Sequence, residues 1–199
     1  MLEKTIEQQR IHSAIGKINL KYAVITSINQ YFYRTVNYRY SGNPLSTTGA
    51  EKSGGRYNYR PPNGQSFPCL YCGEEDNTAT TEKFYGLKRD KKPLPPHTVV
   101  CFKARLSNVV DISDSIKCKS ANIDWQEINQ PWEYHQDILK IPSYTQSLGS
   151  LIYNHPQIEA LKFQSTKRSD TCNLAIFVNK LLPNSVLEVY DPRNDLKLY

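Results

Sequence analysis

Segments typical of β-strands are spread along the whole sequence and alternate with segments typical of helices, and this distribution constrains the fold more than any other feature. Strand-type patterns, dense in β-branched and aromatic residues, cover residues 23–28, 31–40, 69–72, 99–106, 109–111, 163–165, 173–178 and 186–190. Helical patterns cover residues 3–20, residues 76–84 and a segment that ends at Pro156. This order predicts a mixed α+β fold.

The length of the chain favours one domain, although two small domains would also fit 199 residues. A hydrophobic fraction of 39% is enough for a core of ordinary size, and no internal repeat or low-complexity tract divides the sequence. We therefore expect a single domain over residues 1–199. Residues 1–20 are expected to form its N-terminal helix, because Ile6, Ile11, Ile15 and Ile18 recur at roughly helical spacing.

Residues 41–68 are rich in Gly, Ser, Asn and Pro, which is typical of a loop. A compact domain rarely carries so long a loop without a functional reason. This segment is therefore a candidate binding loop.

The charge balance points to an anionic partner. The sequence has 25 basic and 19 acidic residues, a formal net charge of +6. Such a surface suits nucleic acid, a phosphate-bearing small molecule or an acidic protein. Only residues 88–89 and 91–92 form a short basic cluster, whereas nucleic-acid-binding proteins usually concentrate their basic residues. A basic nucleic-acid-binding or interaction module is therefore the less favoured, non-enzymatic alternative.

Neither a membrane partner nor a metal is predicted. No stretch approaches the roughly 20 apolar residues of a membrane-spanning helix, and the N-terminus lacks the apolar run of a signal peptide, so we expect a cytoplasmic protein. The five cysteines are irregularly spaced, which favours reduced thiols. Cys69 and Cys72 form the one metal-like spacing, but residues three apart on a strand point to opposite faces.

A glycine pair followed by arginine is the strongest local pattern. Gly54 and Gly55 would let the backbone approach a ligand closely, with N–H groups available to a phosphate. Arg56 follows with a planar fork of donors that matches phosphate oxygens. The pattern suggests a clamp for pyrophosphate, although a plain turn followed by a surface arginine has the same sequence.

Several further motifs occur together with this turn and in a fixed order. They are Tyr33-Arg34, Gly49-Ala50, Ser53-Gly54-Gly55-Arg56-Tyr57-Asn58, Tyr71, Glu82, Val110-Asp111-Ile112-Ser113, and Ser165 ahead of Asn173-Leu174-Ala175-Ile176-Phe177. In this order the sequence resembles the RES-domain family, named for its Arg, Glu and Ser. The resemblance extends over residues 33–177. It departs from the family pattern at Tyr57, where tryptophan is usual, and after Tyr71, where the usual alanine is missing.

The resemblance implies a fold similar to the ADP-ribosyltransferase toxins, with a central split antiparallel β-sheet flanked by helices. It implies NAD⁺ as the substrate. Members of the family are mostly toxins of bacterial toxin–antitoxin pairs. They cleave the nicotinamide–ribose bond by hydrolysis or phosphorolysis, and some transfer ADP-ribose to a protein. A cognate antitoxin or immunity protein, and a protein acceptor of ADP-ribose, are the partners that this implies.

The resemblance also assigns roles to individual residues. Bond cleavage makes the ribose cationic, and the Glu82 carboxylate would stabilise that charge. Arg56 and Arg34 would hold the pyrophosphate, and Ser165 would hydrogen-bond to the substrate. Tyr57 or Tyr71 would stack on nicotinamide. The implied catalytic residues are thus Arg56, Glu82 and Ser165, and the implied NAD⁺-binding residues are Arg34, Gly54, Gly55, Arg56, Tyr57, Asn58 and Tyr71.

Each of these residues also has an ordinary structural interpretation. Arg34 could belong to an ion pair on its strand, and Glu82 could be a solvated helix residue. Tyr71 could be a core aromatic residue whose hydroxyl is bonded inside the protein, and Ser165 could simply end a strand. The positions of these side chains in three dimensions distinguish the two interpretations.

Overall fold

The structure is a computed structural model that describes residues 2–197. In this range the strands are β1 (Ile25–Asn37), β2 (Leu70–Gly73), β3 (His97–Ile112), β4 (Ala160–Gln164), β5 (Cys172–Ile176) and β6 (Val186–Val189). The α-helices are α1 (Leu2–Ile15), α2 (Thr48–Ser53), α3 (Asp76–Arg89), α4 (Ser115–Ser120), α5 (Trp125–Ile128) and α6 (Tyr144–Asn154). Shorter helical turns are Leu20–Tyr22, Tyr38–Tyr40, His135–Leu139, which is π-helical, Val178–Lys180 and Asp195–Lys197. No described helix is long and apolar enough to cross a membrane.

Five of the described strands close into a barrel. The hydrogen-bonded order is β1-β2-β5-β4-β3, and β3 pairs with β1 to complete the ring. The remaining strand, β6, pairs with the first half of β3, and β4 pairs with its second half on the same side. The mixed α+β class is confirmed. The expected split antiparallel sheet is replaced by one closed sheet in which β3 and β4 run parallel.

One hydrophobic core fills the interior of the barrel. Alternate residues of a strand face the same side of a sheet. Phe102, Ala104 and Leu106 of β3 point inward, whereas Lys103 and Arg105 between them are exposed. The buried side chains of this core come from all five strands of the ring: Ile28, Phe32, Leu70, Cys72, Phe102, Ala104, Leu106, Val109, Ala160, Leu174 and Ile176.

A second core lies between the outer face of the barrel and the helices. It includes Tyr57, Phe163 of β4, Phe177, which follows β5, and Leu148 and Ile152 of α6. Cys69 belongs to this core and Cys72 to the inner one, so the two thiols point to opposite sides of the sheet as predicted. Burial raises the pKa of the Cys69 thiol to about 12.

The structure joins two predicted pairs of strand segments, each into one continuous strand. These strands are β1 and β3. In β1 the polar Asn29 and Gln30, which separated the predicted segments, face solvent and leave the backbone pairing intact. In β3 the corresponding interruption is Ser107-Asn108, where the pairing with β1 shifts register. The backbone N–H groups of both residues donate to the buried carboxylate of Glu159 instead.

The predicted helices are present with shifted ends. Helix α1 ends at Ile15, before Gly16, rather than at residue 20, and of its predicted apolar face Ile11 is buried while Ile6 is exposed. Helix α3 starts at Asp76 as predicted and continues beyond residue 84 to Arg89, with a kink at Phe84. The predicted loop of residues 41–68 contains the short helix α2.

Candidate functional site

Glu82, Ser165 and Asn173 form a hydrogen-bonded cluster where α3 packs over the barrel. The Oε1 atom of Glu82 accepts a hydrogen bond from the Ser165 hydroxyl at 2.5 Å and another from Nδ2 of Asn173 at 2.9 Å. Ser165 follows β4 and is 2% exposed, whereas Glu82 is partly exposed. The cluster therefore fixes a carboxylate at the boundary between the core and solvent.

The turn after β4 orients the Ser165 hydroxyl. Its oxygen accepts hydrogen bonds from the backbone N–H groups of Lys167 at 3.2 Å and Arg168 at 3.0 Å. A hydroxyl has one hydrogen to donate and two lone pairs. Because both lone pairs are engaged by the turn, the hydroxyl hydrogen is directed to Glu82.

Arg56 reaches the same turn from the other side. Its Nη1 donates to the carbonyl oxygens of Ile128 at 2.9 Å and Gln130 at 3.2 Å, and its Nη2 donates to Oγ1 of Thr166 at 3.3 Å. Thr166 is the neighbour of Ser165, so Arg56 and Glu82 are held by adjacent residues. Every one of these partners of the guanidinium is neutral. No ion pair within residues 2–197 involves Arg56.

The glycines before Arg56 build a tight turn. Gly54 ends α2 with a φ of +71°, a conformation that favours glycine, and its N–H donates to the carbonyl of Ala50. Gly55 exchanges backbone hydrogen bonds with Asn58. A Cβ at position 55 would lie 2.8 Å from the ring of Tyr71. Both N–H groups are thus bonded inside the protein, and the turn serves to position Arg56.

Tyr57 and Asn58 of this turn are buried, and Tyr71 of β2 is hydrogen-bonded to both of them. Tyr57 is 1% exposed and its ring packs on Phe163, with the centroids 4.6 Å apart. The Tyr71 hydroxyl accepts from the Tyr57 N–H and donates to Oδ1 of Asn58, which is itself fully buried. Desolvation raises the pKa of Tyr71 well above its usual value. Tyr57 and Asn58 are thus buried and the Tyr71 hydroxyl is bonded inside the protein, so contact of these three residues with NAD⁺ stays a prediction.

Arg34 is not hydrogen-bonded to the Arg56–Glu82 cluster in the described residues. Its neighbour Thr35 hydrogen-bonds to Thr80 of α3, and alternation along β1 places Arg34 on the opposite face. Its Nη2 donates to the carbonyl of Ser46 at 2.8 Å, and its buried Nη1 has no hydrogen-bond partner among the described residues. Desolvation lowers the pKa of this guanidinium. No described hydrogen bond joins Arg34 to Arg56 or Glu82.

Comparison with family models identifies the chain. The model described as RES domain matches residues 31–195, which include β1, the Arg56 turn, α3 and Ser165. The chain belongs to the RES-domain family.

Comparison with solved structures supports the same fold for this RES domain. A chain of the M. tuberculosis MbcT–MbcA toxin–antitoxin complex superposes with a TM-score of 0.58 and 14% sequence identity. The match covers 92% of this chain and 88% of that chain. Comparison with curated proteins finds no match.

Two residues that sequence reasoning did not select, Gln136 and Gln146, also support this site of the RES domain. Gln146 of α6 donates to the carbonyl of Gly55 and to Oε1 of Gln136, and Gln136 donates to the carbonyl of Ser53. These two buried amides hold the turn that carries Arg56. The capping box formed by Ser143 and Gln146 at the start of α6 is a pattern that could have marked Gln146.

No cluster of metal-binding side chains accompanies this site in the described part of the RES domain. No group of three or more His, Cys, Asp or Glu side chains between residues 2 and 197 could hold a metal ion. Two shallow surface grooves, of about 450 and 400 Å³, lie elsewhere. The first is between α1 and residues 134–139, and the second is between β3 and residues 190–196. Glu82 and Arg56 line neither groove.

Proposed function

We propose that this RES-domain protein is the toxin of a toxin–antitoxin pair and cleaves the nicotinamide–ribose bond of NAD⁺. The observation that carries the proposal is the convergence of Arg56 and Glu82 on the adjacent residues Ser165 and Thr166. One group is a cation held by neutral partners, and the other is a carboxylate locked in place. A dinucleotide that carries an anionic pyrophosphate and develops a cationic ribose needs this pair of charges.

Glu82 supplies the stabilising charge in this reaction. Its Oε1 accepts both hydrogen bonds of the cluster, from Ser165 and from Asn173. Oε2 is therefore the atom that can accept a hydrogen bond from a ribose hydroxyl. A fixed carboxylate stabilises the oxocarbenium-like ribose without reorganising during the reaction. Nicotinamide leaves as a neutral molecule from a cationic ring, so its departure needs no strong general acid. Ser165, whose hydrogen points to Glu82, acts by positioning that carboxylate.

Arg56 supplies the contact to the pyrophosphate. Main-chain carbonyls and a hydroxyl fix its guanidinium without cancelling the charge, and its remaining N–H groups are available to phosphate oxygens. Arg34, with an unpaired Nη1, is the second cation that we assign to this substrate. Gly54 and Gly55 contribute by shaping the turn, and Tyr71 contributes by bracing it.

The acceptor of ADP-ribose decides the class of enzyme. Water would make the protein a glycohydrolase, phosphate a phosphorylase, and a side chain of another protein an ADP-ribosyltransferase. The MbcT–MbcA structure is a toxin–antitoxin complex. By analogy we assign this protein a cognate antitoxin that covers the Arg56–Glu82 site. The family resemblance further implies a fold similar to the ADP-ribosyltransferase toxins, and NAD⁺ as the substrate implies a site of action in the cytoplasm.

Incubation of the purified protein with NAD⁺, with and without phosphate, tests the proposal by mass spectrometry of the products. Nicotinamide with ADP-ribose indicates hydrolysis, ADP-ribose-1″-phosphate indicates phosphorolysis, and a mass gain on a protein indicates transfer. Glu82→Gln should lower the rate by about a hundredfold or more, because it removes the charge opposite the ribose.

Glu188→Gln on β6 is the matched control, because it makes the same chemical change on an exposed strand. It should leave the rate unchanged. The proposal fails if the wild-type protein leaves NAD⁺ intact, or if Glu82→Gln and Glu188→Gln are equally active. A nucleic-acid-binding module would retain its charge-driven binding in both variants.

A further inference from the structure

Asn173 is the second donor to Glu82, and Gly73 on the neighbouring strand leaves space for its side chain. It lies on β5 directly opposite Gly73 of β2 and is 5% exposed. A Cβ at position 73 would lie 3.2 Å from Oδ1 of Asn173, 3.1 Å from the backbone nitrogen of Ala79 and 3.2 Å from Cβ of Thr78. The absence of a side chain at Gly73 therefore lets the amide fit between β2 and the first turn of α3.

The two donors to Glu82 come from separate parts of the barrel. Ser165 belongs to the turn after β4, whereas Asn173 belongs to β5, and both bond to the same oxygen, Oε1. One hydrogen bond would leave the carboxylate free to rotate about that contact. Two donors from different directions fix the plane of the carboxylate and hence the direction of Oε2.

We infer that Asn173 is a positioning residue for the cleavage of NAD⁺, acting through Glu82 without touching the substrate. The inference rests on the proposed function. Its physical basis is the 2.9 Å hydrogen bond from the amide to Oε1, which leaves Oε2 directed to the ribose. Loss of the bond should therefore slow the chemical step and leave NAD⁺ binding almost intact.

Asn173→Ala removes the donor. We expect kcat to fall by about tenfold to a hundredfold, the range for losing one hydrogen bond to a charged group. KM for NAD⁺ should change by less than about threefold, because the contacts of Arg56 do not involve Asn173. Far-UV circular dichroism and thermal unfolding of the variant establish whether it is folded under the conditions of the assay.

Asn173→Asp gives a readout that a merely structural role would not produce. The new carboxylate would face Glu82 at hydrogen-bond distance, and two such groups share one proton. The shared proton restores the missing hydrogen bond. Release of this proton at higher pH breaks that hydrogen bond again. The variant should thus recover activity toward low pH and gain an alkaline limb in its pH profile that the wild-type protein lacks.

Other charged groups near the cluster would not mimic this limb. Lys83 neighbours Glu82 on α3, and Arg56 approaches through Thr166. In the turn, the Lys167 ammonium lies 4.0 Å from the centre of the Tyr85 ring, and Arg168 pairs with Glu75 and Asp170. These cations are present in the wild-type protein as well as in the variant, so a limb found only in the variant belongs to the carboxylate pair.

Asn29→Asp on the exposed part of β1 is the matched control, since it makes the same substitution away from Glu82. It should keep the wild-type pH profile. If Asn173→Asp is folded and its profile matches that of Asn29→Asp, the inference is overturned while the proposed function stands. A wild-type protein that releases no nicotinamide overturns both.

Discussion

At the scale of single residues, Arg56 shows how a guanidinium is held in place without an ionic partner among the described residues. Its guanidinium is fixed by the carbonyls of Ile128 and Gln130, at the end of α5, and by the hydroxyl of Thr166. A carboxylate partner would hold it as firmly but would cancel its charge. The arrangement orients the arginine and leaves its attraction for an anion in place.

Arg56→Lys should separate the contribution of the positive charge from that of the oriented guanidinium. Lysine keeps the charge but lacks the planar fork that reaches both carbonyls and a phosphate together. We expect KM for NAD⁺ to rise about tenfold, with a smaller effect on kcat, in steady-state measurements of nicotinamide release. Arg60→Lys is the control, because Arg60 lies on the same loop and bonds to the carbonyls of Pro61 and Pro62. An equal effect of both substitutions would contradict a specific role for Arg56.

Sequence reasoning selected residues of the candidate site without showing how each side chain is placed. The order of motifs was enough to select Arg56, Glu82 and Ser165, which the structure brings together. It could not separate Tyr57 and Asn58 from them, because adjacent residues of a tight turn point in different directions. Asn173 lay inside a recognised motif, but its role depends on a contact with a helix 91 residues away in sequence.

At the scale of elements, α6 is pressed unusually closely against the Arg56 turn. Gly149 lies in the middle of this helix, and a Cβ there would overlap the carbonyl oxygen of Tyr57. The helix therefore approaches the turn backbone to backbone. Gln146, one turn earlier on α6, reaches the carbonyl of Gly55 from the same side.

Gly149→Ala should therefore destabilise the protein, although alanine is the better helix former. We expect a loss of about 1–3 kcal/mol or more in the free energy of unfolding, measured by urea denaturation. Gly86→Ala on α3 is the matched control, because a Cβ there meets no atom within 4 Å. It should stabilise the protein by about 0.5–1 kcal/mol. Equal effects at the two positions would contradict the close packing of α6.

The elements were predicted well where pattern and burial agree, and less well where a distant group intervenes. Strands β2, β5 and β6 lie within a residue or two of their predicted positions because each is a short run rich in apolar residues. The continuity of β3 through Ser107 depends on Glu159, whose carboxylate replaces the missing backbone partner. Burial raises the pKa of this carboxyl, but the hydrogen bonds that it accepts outweigh burial and hold the pKa below the usual value.

At the scale of the whole molecule, closure of the barrel connects distant parts of the chain. Strand β1 pairs with β3 along almost its entire length, and β3 also holds β4 and β6. Sequence patterns predicted the strands but not this closure, because β1 and β3 are separated by the Arg56 turn and α3. The expected split sheet was wrong for the same reason, since pairing partners leave no local signal.

Such a closed arrangement should unfold as one unit, as expected for a single domain. Trp125 packs on the core beneath the helices, so its fluorescence, measured in a Trp132→Phe variant, reports that layer, whereas far-UV circular dichroism also reports the strands. The two signals should give the same midpoint in urea, since neither core persists once the barrel opens. Two separate transitions would show instead that the helical layer and the barrel are independent.

The turn at residues 165–168 has a consequence for the order in which the protein becomes active. A ribosome releases Arg56 and Glu82 long before it releases Ser165 and Thr166, the residues that align them. A growing chain therefore carries both charged groups for most of its synthesis without the geometry that makes them useful. The proposed cleavage of NAD⁺ can therefore begin only after residues 165–168 have been synthesised and have folded against Arg56 and Glu82.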